Sequence, residues 1–374
     1  MAFIIAEIGT AHEGDEKKAE ALIDCAVSSG CDAVKFQWVY AAEILHPDTG
    51  YVNLPAGNIR LYDRFKQLEC PPSFYERMRD YAHKNGVKFV CSPFGLKSLD
   101  ELLAIQPDYV KIASPELNHY PLLSRLSSHR TFCRETRKTP VPVIVSSGVS
   151  RLSDIENALR ILGTDGVSLL HCITSYPAPE TEYNVRLIAN LARIFGVKTG
   201  ISDHSLDPVL VPVLSVVCGA SIVEKHITLS RKTSGLDDPV ALEGEQFALM
   251  VHCVRQCETA LAHYGTEEGG RRVISQLEQS YERARIDAVL GNGIKRLAPS
   301  EKENYSRTNR SLHFMRSMKK GEIICNEDIG VLRTEKTLSP GISPEFLPLV
   351  TGAELSRDVK DGEGVQLSDF MHRV

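Results

Sequence analysis

Val197-Lys198-Thr199-Gly200-Ile201 leads into Ser202-Asp203-His204, and Ser221-Ile222-Val223-Glu224-Lys225 leads into His226. Each apolar run has strand length and is rich in β-branched residues, and a helix-like stretch lies between them. Two successive strands joined across a helix run parallel. Such strands deliver both imidazoles to one edge of a single sheet. Side by side, two neutral imidazoles can hold a divalent cation while leaving positions open for water and substrate. An isolated pair of this kind reads more readily as two hydrogen-bonded structural histidines. The rest of the chain has to decide.

Working outward, eight strand-like runs alternate with amphipathic helical stretches up to about residue 264: 3–9, 33–37, 88–94, 109–114, 141–148, 167–172, 197–204 and 221–228. In the first helical stretch Ala19, Leu22, Ile23, Ala26 and Val27 share a face, and Gly30 is placed to stop it. Ser98 with Glu101, and Ser153 with Glu156, fit capping boxes, and Pro208 can open the helix between the histidine strands. Alternation of this kind demands a parallel sheet, and eight units favour a (β/α)8 TIM barrel, an α/β fold, over an open sheet. Residues 39–72, with Pro47 and Pro55, interrupt the rhythm and are expected to form a substrate lid at the catalytic rim. Residues 127–138 read as a basic, solvated loop at the opposite rim.

Composition shifts after Gly265. Residues 1–264 read as the barrel, 265–300 as a linker with some helix, and 301–374 as a small β-rich module. Met318-Lys319-Lys320-Gly321-Glu322 and Val359-Lys360-Asp361-Gly362-Glu363 are similar turns, which gives that module a pseudo-symmetric look.

The 374 residues carry a formal charge of −5, which gives no reason to expect nucleic acid or an anionic membrane as a partner. No apolar run has the length of a membrane span. The opening Met1-Ala2-Phe3-Ile4-Ile5-Ala6-Glu7 lacks a basic region and reads as a first strand, not a signal peptide. Ten scattered cysteines, with no CxxC pair, suit a reducing cytoplasm and no disulfide framework.

Catalytic groups of a TIM barrel lie where its strands run out. Here those positions hold Glu7, Lys35 and Gln37, Ser92, Lys111 and Ser114 with Glu116 just beyond, Ser146 and Ser147, Thr174 and Tyr176, Ser202 and His204, and His226. An unpaired ammonium inside a strand core is costly. Lys35 and Lys111 therefore either pair with carboxylates such as Glu7 and Glu116 or bind an anionic ligand. Two lysines with several small hydroxyls suit phosphate and carboxylate oxygens. Beside the histidines they read as an anion-plus-metal site, with Glu7 and Glu116 as candidate acid, base or water-positioning groups.

The ordered set Ala6-Glu7-Ile8-Gly9 with His12-Glu13-Gly14, Val34-Lys35-Phe36-Gln37, Val110-Lys111-Ile112-Ala113-Ser114, Ser146-Ser147-Gly148, Leu170-His171-Cys172 with Tyr176-Pro177, Ser202-Asp203-His204 and Glu224-Lys225-His226 resembles the sialic acid synthase family. Asn309-Arg310-Ser311-Leu312 and Gly341-Ile342-Ser343-Pro344 resemble that family's antifreeze-like (SAF) domain. The resemblance implies condensation of phosphoenolpyruvate with N-acetylmannosamine or a related N-acylated amino sugar, with phosphate lost by C–O cleavage. It implies that His204 and His226 bind a divalent metal, commonly manganese, with magnesium or cobalt as alternatives. It implies that Lys35, Ser92, Lys111, Ser114, Ser146, Thr174 and Ser202 hold phosphoenolpyruvate. Gln37, Tyr176, Asp237 and Arg310 would meet the sugar, and Glu7 and Glu116, with the two lysines, would act in catalysis. Arg310 would reach the partner subunit's barrel in a domain-swapped homodimer.

Ala11 and Thr174 stand where the family usually has Asn, and Asp238-Pro239 and Ala241 also depart from its pattern. These changes lie mainly on the sugar side and leave the acceptor open. Synthases of legionaminic, pseudaminic or other nonulosonic acids compete, as does a different phosphoenolpyruvate–aldose condensing enzyme. A non-enzymatic alternative is a carbohydrate-binding protein using the SAF module.

Overall fold

The computed structural model describes residues 1–54, 57–233 and 235–371. Eight parallel strands run β1 Phe3–Gly9, β2 Ala33–Trp38, β3 Lys88–Pro93, β4 Tyr109–Ile112, β5 Val143–Ser146, β6 Val167–Cys172, β7 Lys198–Asp203 and β8 Ile222–Thr228. Each pairs with the next, and β1 closes on β8 from Phe3↔Ile222 to Glu7↔His226. That closure makes the sheet a TIM barrel, as the alternation predicts. The strands are shorter than several of the apolar runs. Ser114 falls in a 3-10 turn, Ser114–Glu116, and His204 stands one residue past β7.

Side chains alternate across a strand, so each barrel strand has an inner and an outer face. Outer residues such as Ile4, Val34, Phe36 and Val223 pack with the helices in the main core. Inner residues Ile5, Ala33, Val90, Ile144, Leu170 and Ile222 form a separate apolar plug. The helix Glu16–Ser28 buries Ala19, Leu22, Ile23 and Ala26, and Asp15 caps it through the N–H groups of Lys17 and Lys18.

Several local expectations change. Residues 39–72 are no bare loop. They contain a helical turn Ala41–Ile44, a hairpin of Tyr51–Leu54 with Gly57–Arg60, and a helix Leu61–Gln67. Pro55 lies outside the described residues. Residues 127–135 continue the helix Tyr120–Glu135, and Arg130 is buried there, bonded to Val141 O and Leu162 O. Buried carbonyls near the start of β5 need donors, which a solvated loop would not supply. Ser98 is the third residue of its helix, accepting from Gly95 N. Asp154, not Ser153, caps the helix Leu152–Leu162, through Arg151 N. The helix after β7 begins at Leu210, two residues beyond Pro208.

Residues 265–300 hold two docked helices, Thr266–Leu277 and Arg283–Leu290. They bury Val273, Leu277, Ile286, Val289 and Leu290 against the barrel's outer layer. The charged residues that suggested a linker lie on their solvent side. The module pairs β9 Arg310–Phe314 with β10 Ile329–Arg333, antiparallel, over a core of Leu312, Phe314, Met318, Ile324, Leu355, Val359 and Val365. Its two similar turns face each other through a Met318↔Val359 bridge. In each, a glutamate (Glu322, Glu363) accepts the N–H three residues earlier. Among the described residues, no helix is long and apolar enough to cross a membrane.

Candidate active site

Two residues above the apolar plug, the same inward faces carry Glu7, Lys35, Ser92, Lys111, Ser146, Cys172 and Glu224, all buried. Strand period alone puts them in one layer. Ser202 joins them, because β7 sets it beside Glu224 in register. Two residues below it is Gly200, where an added Cβ would lie 2.3 Å from Ile222 O.

Lys35 Nζ lies 2.9 Å from Glu7 Oε2 and 3.5 Å from Glu224 Oε1. Lys111 Nζ is 3.7 Å from that same Glu224 oxygen and donates to Ser146 Oγ at 2.6 Å. Ser202 Oγ donates to Glu224 Oε1 at 2.9 Å, and Gln37 Nε2 to Glu7 Oε1 at 2.8 Å. Two ammoniums and two carboxylates thus balance in a buried layer. Burial opposes each charge, and the partners answer it unequally. Glu224 and Glu7 more than offset burial at Lys35, raising its pKa to about 12. At Lys111 burial wins, Lys35 adds to it, and the pKa falls. Lys111, Lys35 and Ser202 outweigh burial at Glu224 and hold it at about 2. Glu224 Oε2 and Ser92 Oγ are buried without partners. Buried polar atoms are normally satisfied, so these two mark where a ligand or water completes the layer.

The two histidines stand just above, with ring centroids 5.4 Å apart. His204 Nδ1 meets Ile173 O at 2.8 Å. A carbonyl can only accept, so Nδ1 carries a proton. Burial opposes charge there, but Cys172 and Ile173 O outweigh it and raise the His204 pKa to about 9, so a cation at Nε2 would have to displace a second proton. Burial, with His204 and Lys35 nearby, holds His226 neutral, its pKa near 3. Among the described residues no three His, Cys, Asp or Glu side chains gather as a metal cluster. The donor set is the histidine pair. It fits a cation whose remaining positions are filled by water and substrate.

Tyr176 is half exposed and packs tilted against His204 at 4.3 Å between centroids. Asp237 Oδ2 lies 3.8 Å from His226 Nδ1. Asp238 turns back into its own loop, accepting from Thr228 Oγ1 and Gly235 N. Ser114 Oγ accepts Gly148 N at 3.0 Å. A Cβ on Gly148 would come within 2.0 Å of Thr174 Oγ1, so the loops carrying Ser114, Gly148 and Thr174 meet there without spare room.

Glu116 and Arg310 make their bonds elsewhere. Arg310 is buried at the seam between barrel and module. It donates to Glu116 Oε1 at 2.9 Å, Phe94 O at 2.6 Å, Glu43 O at 2.6 Å and Val331 O at 3.1 Å. Within the chain, the module therefore closes on its own barrel. The segment 39–72 is held in the same seam. Thr337 N donates to Thr49 O, and His46 Nε2 lies 3.1 Å from Asp361 Oδ1.

Three contributors escaped the strand-end reading. Glu224 sits two residues before His226 on the same face, a signal that strand period offers. Cys172 lies 3.8 Å from His204 Nδ1, which its place at the end of β6 also allows. Arg333, at the end of β10, donates to Glu116 Oε1 at 2.8 Å and stands over the Phe94 ring. Nothing local in the sequence distinguishes it from other arginines of the module.

Residues 22–265 match the NeuB family, and residues 309–371 match the SAF domain. The spore coat polysaccharide biosynthesis protein SpsE of Bacillus subtilis is 30% identical over 99% of this chain and 93% of its own. The crystal structure of that protein superposes with a TM-score of 0.81, at 29% identity, covering 100% of this chain and 96% of the other. The N,N'-diacetyllegionaminic acid synthase of Legionella pneumophila is 28% identical over 96% of this chain and 92% of its own. The N-acetylneuraminic acid synthetase structure from Leptospira borgpetersenii gives a TM-score of 0.60 at 27% identity, over 81% of this chain and 90% of the other.

Proposed function

The chain belongs to the NeuB family, and from that premise we propose that it is a nonulosonic acid synthase, joining phosphoenolpyruvate to an N-acylated amino sugar with release of phosphate. The observation that carries this reading is the buried layer of Lys35, Lys111, Glu7 and Glu224, with unpartnered oxygens on Glu224 and Ser92, directly below two imidazoles.

Phosphoenolpyruvate brings a phosphate and a carboxylate. Lys35 and Lys111 would meet them, assisted by the hydroxyls of Ser92, Ser146 and Ser202. Preorganised donors in a dry site act strongly on charge that moves during reaction. On binding, the anion would take over contacts now made by Glu224, which the lysines share at 3.5 and 3.7 Å. Glu7, oriented by Gln37, suits the acid–base task at the attacked carbon or the incoming water. Glu116 suits it less, since two arginines neutralise it.

His204 and His226 would hold a divalent cation, manganese before magnesium or cobalt, and it would supply Lewis-acid polarisation of the sugar carbonyl. Tyr176 and Asp237 border the space above the histidines and would face the sugar. Arg310 has its donors met by Glu116 and backbone carbonyls. Arg333 bonds Glu116 only through Nε and Nη2, and Nη1 meets no acceptor among the described residues. Arg333 is thus the better candidate for the module's contact with the acceptor. In an exchanged homodimer the same Glu116 seam would form between copies. The ten free cysteines fit a reducing compartment.

The test is phosphate release from phosphoenolpyruvate with a panel of N-acyl hexosamines and manganese, with mass detection of the product. N-acetylmannosamine and the legionaminic and pseudaminic acid precursors belong in the panel. No release with any sugar, in metal-loaded protein, removes the synthase reading.

A further inference from the structure

Val149 follows the Ser146-Ser147-Gly148 stretch and has φ of 41°. That is the left-handed region, which a β-branched residue adopts only when its surroundings impose it. Both backbone groups of Val149 are held by side chains that come from beyond residue 290. Glu301 Oε1 accepts Val149 N at 2.7 Å, and Asn309 Nδ2 donates to Val149 O at 3.0 Å. Lys295 Nζ donates to Ser147 O at 3.0 Å, two residues earlier. The same Glu301 oxygen accepts Thr174 N at 2.8 Å, and Oε2 accepts Ala298 N at 3.2 Å. Glu301 is wholly buried. One carboxylate from the segment joining barrel to module therefore ties the loop after β5 to the loop after β6.

These two loops carry Ser147 and Thr174, and the first continues directly from Ser146, the last residue of β5. Their fit is tight, as the space around Gly148 shows. A loop forced into an uncommon conformation stays there only while its supports stay. Such supports decide how well a binding loop is preorganised.

We propose that Lys295, Glu301 and Asn309 form a clamp that positions the phosphoenolpyruvate loops, with Glu301 as its central positioning residue. The joining segment then supports the binding site and is not a tether alone. The assignment of those loops to phosphoenolpyruvate rests on the synthase reading; the clamp on Val149 does not.

The test uses the full chain with Glu301→Ala, Glu301→Gln and Asn309→Ala, and Glu303→Gln as an exposed neighbour control. Two readouts are taken. Amide exchange in the free protein reports the clamp directly. Glu301→Ala should lose protection at Val149 and Thr174 while the barrel strands keep theirs. Calorimetric phosphoenolpyruvate affinity should weaken by about 10-fold or more in Glu301→Ala, since small displacements of positioned groups carry large costs. Glu301→Gln keeps an accepting oxygen and should fall between. Asn309→Ala should shift in the same direction, and Glu303→Gln should match wild type. The acceptor KM should stay within about 2-fold of wild type. If Glu301→Ala fails to fold, Glu301→Gln and Asn309→Ala carry the same comparison. Unchanged exchange and unchanged affinity in folded variants overturn the clamp. So does a uniform loss of protection across the barrel, which marks a merely structural role. If wild type binds no phosphoenolpyruvate, the synthase reading falls, and the exchange result still decides the clamp.

Discussion

Lys111 and Lys225 are both buried lysines of the barrel wall, on β4 and β8, and they face opposite ways. Lys225 points outward into the strand–helix layer. Its ammonium pairs with Asp203 and donates to Ser205 O at 2.7 Å and Ser205 Oγ at 3.2 Å. Lys111 points inward. Its one short bond goes to Ser146 Oγ, and its carboxylate partner lies 3.7 Å away. An ammonium has three donors. Those of Lys225 are used, whereas Lys111 faces an interior where Glu224 Oε2 and Ser92 Oγ also lack partners. A saturated buried charge serves the fold; an unsaturated one, among other unsaturated groups, is kept for a ligand. Arg310 and Arg333 repeat the contrast at the seam.

The widest separation should come from the lysines themselves. Lys111→Met is expected to lower kcat/KM for phosphoenolpyruvate by about 10³, with a smaller loss of unfolding free energy than Lys225→Met, because Lys35 and Ser202 still answer Glu224. Lys225→Met leaves Asp203 buried and unpaired, and should cost about 3–5 kcal/mol in urea unfolding. It should leave the phosphoenolpyruvate KM of the folded fraction unchanged. The reverse pattern would break the comparison.

Next in size, His226→Ala should weaken manganese binding by at least about 100-fold, since loss of a supporting shell alone costs up to that much. Equilibrium dialysis with elemental analysis measures it, and full retention of metal would remove His226 as a ligand. Arg333→Met should raise the acceptor KM by about 10-fold with little loss of stability. Arg310→Met should instead loosen the seam, read as proteolytic release of the module. Equal effects on both readouts would dissolve the distinction between the two arginines.

Acid probes the same buried layer. Glu224 titrates near 2 when folded, against an ordinary value of 4.5. A depressed carboxylate stabilises the fold fully above its unfolded pKa, and that contribution fades as pH falls through the folded one. Glu224→Gln should therefore flatten the fall in stability between pH 4.5 and 2, followed by thermal melts across that range.

Much of the barrel and its rim is legible in the chain because strand period and strand order are one-dimensional properties. Once eight runs alternate with helices, Lys35, Lys111, Ser146, Ser202 and His226 must share one end of the sheet. Some helix between 265 and 300 is legible, but not that the helices at 266–277 and 283–290 dock, because their apolar stripe is thin beside their charge. Their stability comes from docking, which no local pattern records. The elements within 39–72 escape a local reading for a similar reason, since the segment's partners Thr337, Asp361 and Arg333 lie about 300 residues away.

The sequence by itself determined which residue types line the interior of the barrel and which end they reach, because side-chain alternation and parallel order leave no freedom. Only the tertiary structure decided which of those groups are satisfied. Satisfaction depends on distances between strands far apart in the chain: it sets Lys225 apart from Lys111 and Arg333 from Arg310. It also turned Glu301, an unremarked residue of a joining segment, into the support of two loops.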